Sequence, residues 1–81
     1  MPRFFFHFEN HGVRIADETG IVLPDEEAAW YQAVRNARDL IRAESAMGCG
    51  WDDQWVQIDD HDGVPVDRIP LQEIARYAGG V

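Results

Sequence analysis

The residues best equipped to do chemistry cluster in Asp59-Asp60-His61-Asp62-Gly63, three carboxylates and an imidazole within five positions. Carboxylate oxygens beside an imidazole are donors that suit a divalent cation. With His7 or His11 brought close, Asp60, His61 and Asp62 would make a small metal-dependent hydrolase. The run does not match the calcium-binding EF-hand loop, which needs a bidentate Glu at its twelfth position. An Asp-rich segment ending in Gly is also what a tight hairpin turn requires, because Asp bonds to nearby backbone N–H groups and Gly accepts a positive φ. Turn chemistry accounts for these residue types without a metal, so no catalytic residue, metal ligand or cofactor is assigned.

Two further candidates are single side chains. Cys49, in Gly48-Cys49-Gly50-Trp51, follows the expected end of a helix. The dipole there disfavours a thiolate, so a nucleophilic role is not expected. His7 lies in an aromatic strand segment, on the side opposite Phe4, Phe6 and Phe8. There it can meet an Asp or Glu of a neighbouring strand and serve as acid or base. The structural reading, a strand histidine making one hydrogen bond, with Arg14 or Asp17 across the hairpin as candidate partners, is preferred.

Recognition chemistry is better represented than catalytic chemistry. Tyr31, Arg35, Arg38 and Arg42 recur at spacings of four, three and four, which places them on one helical face. Arginine and tyrosine anchor protein interfaces, and guanidinium groups grip carboxylates and phosphates. Arg35 can instead pair with Asp39 one turn on, as a solvated helix face would. Trp51 and Trp55, with Trp30, are many tryptophans for a short chain; they either complete a small core or stand at an interface.

The elements that must position these groups follow from periodicity. Phe4–Phe8 reads as a strand, Glu9–Gly12 as a turn, Val13–Ile15 and Ile21–Leu23 as short strands, with Asp17-Glu18-Thr19-Gly20 turning between them. Asp25 is the expected N-cap of a long helix running to about Met47, with Glu26 and Glu27 favoured by the dipole in its first turn. Trp30, Ala33, Val34, Ala37, Leu40 and Ile41 mark its buried face. Gln54–Asp59 alternates, with Val56 and Ile58 on one side and Trp55 and Gln57 on the other. Val64-Pro65-Val66 returns as an edge strand, since Pro65 cannot donate to a ladder. Ile69-Pro70 opens a short last helix, and 79–81 is a tail. The order ββ(β)αββα predicts an α+β fold: an antiparallel sheet of four to five strands with the long helix on one face. Residues 1–81 are expected to form a single domain.

Composition bounds the function. The 81 residues carry 15 acidic against seven basic side chains, all arginine, for a net charge of −8. With 46% hydrophobic residues the chain is apolar enough to fold. Its acidity argues against nucleic-acid binding, which needs a basic face. The charge is polarised: residues 1–24 carry −1, 25–47 carry −2 and 48–81 carry −5. An acidic end can therefore meet the arginine face of another copy. One cysteine allows no intrachain disulfide, and no segment is long or apolar enough for a signal peptide core or a membrane span, so a cytoplasmic protein is expected.

The ordered motifs resemble a family of small bacterial proteins, common in rhizobia and related alphaproteobacteria and described only as a domain of unknown function. Its members open M-P-R-[YF]-[FY]-F-H, as Met1-Pro2-Arg3-Phe4-Phe5-Phe6-His7 does. A D-x-x-G follows, here Asp17 to Gly20, then L-P-D, here Leu23-Pro24-Asp25. The Ala- and Arg-rich helix comes next, with Ala28, Ala29, Ala33, Arg35, Ala37 and Arg38. Asp60 to Gly63 and Ile69-Pro70 complete the match, which spans nearly the whole chain. The resemblance implies no activity, substrate or catalytic residue. The strand-strand-strand-helix-strand order is also similar to the partial ribonuclease-H-like fold of the HicB antitoxins, an analogy of fold only.

The sequence thus favours a non-enzymatic protein-interaction module that self-associates as a homodimer. The alternatives are an antitoxin-like acidic binding protein and the small metal-dependent hydrolase.

Overall fold

The computed structural model describes residues 1–44 and 53–78. Seven elements follow one another: β1 (Arg3–Asn10), β2 (Val13–Ile15), β3 (Ile21–Val22), α1 (Glu26–Glu44), β4 (Gln54–Asp59), β5 (Pro65–Pro70) and α2 (Leu71–Ala78). The strands form one antiparallel sheet in the order β2-β1-β4-β5, with β3 also paired to β1. This is the α+β architecture expected from the element order.

Alternation sets the two faces of the sheet. Phe4, Phe6, Val56, Ile58 and Ile69 are buried beneath the helices, with Phe8 packed against them. Phe5, His7, Trp55 and Gln57 point to the face that neither helix covers. Cross-strand partners share a face, so the pairing of Phe6 with Ile58 and of His7 with Gln57 fixes both faces at once. The β1–β2 connection is the two-residue turn His11-Gly12, both with positive φ, as a tight hairpin demands.

Helix α1 starts where Asp25 predicts: its carboxylate accepts the N–H of Ala28 at 2.9 Å. Its buried stripe is Ala29, Ala33, Ala37 and Ile41, three of them alanines with no exposed surface. Small side chains bring the helix axis close to the sheet, over β4 and β5 and against α2.

Several boundaries differ from expectation. Trp30 is 41% exposed and sits at the margin of the helix, not in the buried stripe. The narrow space left by an alanine contact has no room for an indole. Glu9 and Asn10 belong to β1, and only His11 and Gly12 turn. Ile69 and Pro70 end β5, so α2 begins at Leu71. Pro70, paired with Trp55, ends the strand, and Leu71 starts the helix. The expected helix stop at Gly48 and Gly50, together with Cys49, Trp51 and the tail 79–81, lies outside the described residues.

Candidate interaction surface

The two D-x-x-G segments prove to be locked turns. Asp60 Oδ1 accepts the N–H groups of Asp62 and Val64, both at 2.9 Å, and Gly63 closes the turn with a φ of 80°. His61 Nε2 lies 3.4 Å from Asp62, with both side chains largely in solvent. No group of three or more His, Cys, Asp or Glu side chains converges on a metal-sized site among the described residues.

At the first segment, Asp17 fills the gap on β1 between its partners β2 and β3. Its Oδ2 accepts the N–H of Phe6 at 3.1 Å, in place of a strand carbonyl, and its Oδ1 accepts the N–H groups of Thr19 and Gly20 at 3.1 Å. Burial by itself would raise the pKa of this carboxyl. The N–H groups of Gly20, Phe6 and Thr19 outweigh that penalty and hold it below its ordinary value.

His7 joins this turn to the sheet. The backbone N–H of Asp17 donates to Nδ1 at 3.0 Å, while Nε2 lies 3.2 Å from Asp59 Oδ2. Asp59 Oδ1 in turn accepts from the Gln57 amide at 3.0 Å. The carboxylate–imidazole pair has the outline of a catalytic dyad, but a general base needs one ring nitrogen free to take a substrate proton. Here both are engaged by the protein itself.

The helix face is different in kind. Tyr31 is 63% exposed and meets Trp30 edge to face, ring centroids 5.2 Å apart. Arg35, Arg38 and Arg42 continue along the exposed side of α1. Arg35 and Arg38 have no ion pair among the described residues, so the Arg35–Asp39 pair open to a solvated helix face does not form. Beside this ridge a cleft of about 540 Å³ opens between α1, β5 and α2, with Trp30 and Arg38 at its edge and Ile69, Pro70 and Ile74 among its apolar walls. Trp55 lies apart from the ridge, half-buried on the uncovered sheet face. The Arg68 guanidinium stacks over its ring at 4.5 Å, and its buried indole N–H has no hydrogen-bond partner among the described residues.

A family model described as a domain of unknown function, DUF6894, matches residues 3–72. The chain belongs to the DUF6894 family. No curated protein matches the chain, and no solved structure does. The match takes in both D-x-x-G turns, the capped start of α1 and the arginine face, so all of these lie within the DUF6894 domain.

One surface escaped sequence reasoning. Val13 (63% exposed), Ile15 (58%), Ile21 and Val22 stand in solvent at the outer margin of the sheet. The signal available was strand length: segments of two or three residues are too short to be covered by a helix lying over the longer β4 and β5.

Proposed function

We propose that this DUF6894 protein is a non-enzymatic protein-interaction module that self-associates, the arginine face of α1 on one copy meeting the acidic β4–β5 hairpin end of another. The observation that carries the reading is the pair of guanidinium groups, Arg35 and Arg38, that have no ion pair among the described residues and stand beside exposed Trp30 and Tyr31. Arginine and aromatic residues are the side chains that dominate interface energetics. The complementary element belongs to the same chain: Asp60 and Asp62 flank a hairpin tip whose Val64 is exposed. A two-fold dimer makes this contact twice, once from each copy.

The reading places the chain in a bacterial cytoplasm, from its opening motif and single cysteine. Among the described residues no helix is long and apolar enough to cross a membrane.

Light scattering after size exclusion tests the proposal. A dimer at low ionic strength that dissociates as salt rises is expected, because exposed charge pairs are screened. Arg35→Glu with Arg38→Glu leaves a monomer, and so does Asp62→Arg. Mixing these two variants restores a dimer, since each reversed surface then faces its complement. A strict monomer at high concentration and low salt refutes the reading; such a chain would fit the acidic binding protein instead.

A further inference from the structure

The two ring nitrogens of His7 carry a separate inference. Nδ1 accepts the Asp17 backbone N–H at 3.0 Å, and Nε2 faces Asp59 Oδ2 at 3.2 Å. The first contact exists only while the ring is neutral. A protonated imidazole carries hydrogen on both nitrogens, and a backbone N–H can only donate. Protonation therefore sets two donors face to face at Nδ1. The side chain is 12% exposed, so little water is at hand to part them. Histidine is the side chain that changes charge between about pH 5 and 8.

Unequal holds decide which partner moves. The imidazole lies parallel to the Phe5 ring, the planes 6° apart. Its contact with Asp59 becomes charge-assisted, and stronger, on protonation. The charged groups on its side of the sheet favour the same outcome. Asp59 of β4 and the Asp17 carboxylate are negative, and Gln57 beside Asp59 is neutral. The cations are engaged elsewhere: Arg14 of β2 by Glu9 of β1, Arg3 by the Thr19 carbonyl, and Arg68 of β5 over Trp55. A charged ring thus stays beside Asp59, and the Asp17 peptide gives way. The Asp17 side chain remains pinned by the N–H groups of Phe6, Thr19 and Gly20, and its own N–H is not among those bonds.

We infer that His7 is a pH-operated latch on the end of β2. Neutral His7 holds the Asp17 N–H and fixes the Ala16–Asp17 peptide beside β1. Protonated His7 keeps Asp59, expels that N–H and lets the peptide swing away, so β2 loses its anchor beyond Ile15. Strand β2 has only three residues and pairs with Phe8, Glu9 and Asn10 of β1, a short ladder that depends on such an anchor. Ile15, Ala16 and Asp17 also wall a hollow of about 390 Å³, whose shape the latch therefore sets. Every contact in the latch lies within one chain, so the inference does not depend on self-association.

Nuclear magnetic resonance of the isotope-labelled full chain between about pH 8 and 5 tests the latch. Ring nitrogen shifts report protonation of His7. In the neutral state a scalar coupling should join the Asp17 amide nitrogen to Nδ1. On protonation the hydrogen-exchange protection of the Asp17 amide should fall at least about tenfold, the loss of one hydrogen bond. Protection of the Phe6 and Gly20 amides should hold, because the Asp17 carboxylate keeps them. Asp17→Asn retains the backbone donor and should expel it in the same way. His7→Asn places a side-chain oxygen near the position of Nδ1, an acceptor at every pH, and should keep the Asp17 amide protected throughout. Circular dichroism confirms that this variant folds; if it does not, the wild-type series alone decides. Four results overturn the latch: no coupling in the neutral chain, an unchanged Asp17 amide once the ring is protonated, protection lost at Phe6 and Gly20 together with Asp17, or a ring that stays neutral until the chain unfolds. Loss of Asp17 protection in a folded His7→Asn variant over the same range overturns it equally.

Discussion

The Asp17 backbone N–H donates to His7 Nδ1, so the imidazole accepts at one nitrogen and faces the Asp59 carboxylate with the other. A backbone amide can only donate, which fixes the protonation pattern of the neutral ring: Nδ1 bare, Nε2 carrying the proton.

Nitrogen-15 chemical shifts of the neutral His7 imidazole should therefore report the Nε2–H tautomer. Substituting Asp59 by Asn should leave that tautomer in place, because the Asp17 amide still enforces it. A neutral ring protonated at Nδ1 would contradict the geometry. The assignment has a functional consequence: a chemical modifier of histidine should react with His11 and His61, both exposed, well before His7.

Asp17→Asn should cost about 2 kcal/mol of stability at neutral pH, measured by urea unfolding. The amide keeps one acceptor but turns an N–H₂ toward groups that are themselves donors. The pH dependence has a definite sign. The folded-state pKa of Asp17 is depressed, so its contribution is fully present above the unfolded value of about 3.9. It is lost as pH falls through the lower folded pKa. The stability gap between wild type and Asp17→Asn should be constant above about pH 5 and close in that acid window.

Much of this was legible in the chain. Period-two alternation gave the strand faces, and Asp25 gave the start of α1. His7 was expected to meet a carboxylate of a neighbouring strand, or Arg14 or Asp17 across the hairpin; it meets the Asp59 carboxylate and the Asp17 backbone, while Arg14 pairs with Glu9. The lateral placement of α1 was not legible. Trp30 and Ala33 both look apolar in a helical repeat, and only the close helix–sheet approach decides that alanine goes inside. Because α1 then lies over β4 and β5, Val13, Ile15 and Ile21 are left exposed. That is a property of the packed layers, which no local pattern encodes.

The two turn glycines should respond unequally to alanine. Both have positive φ, 73° at Gly20 and 80° at Gly63. A Cβ at Gly63 meets nothing within 4 Å, so Gly63→Ala should cost only the backbone strain of about 1 kcal/mol. A Cβ at Gly20 would stand 2.8 Å from the Phe4 carbonyl oxygen and 2.9 Å from the Phe5 ring. Backbone cannot yield there without breaking the Asp17 turn, so Gly20→Ala should cost about 3 kcal/mol or more. Equal losses in denaturant unfolding would show that the Asp17 turn does not confine Gly20.

The alanine stripe of α1 sets the last test. Ala33 and Ala37 are fully buried, and the helix meets the sheet through them. Leucine at either position adds three carbons to a contact with no spare volume, forcing α1 outward at a cost of about 1–3 kcal/mol. The same substitution at Val34, half-buried beside the open cleft, adds bulk where space exists and should be nearly neutral. Thermal unfolding of Ala33→Leu, Ala37→Leu and Val34→Leu checks the contrast. If all three melt alike, the close approach of α1 to the sheet is not what excludes Trp30 from the core, and the exposure of the aromatic pair needs another cause.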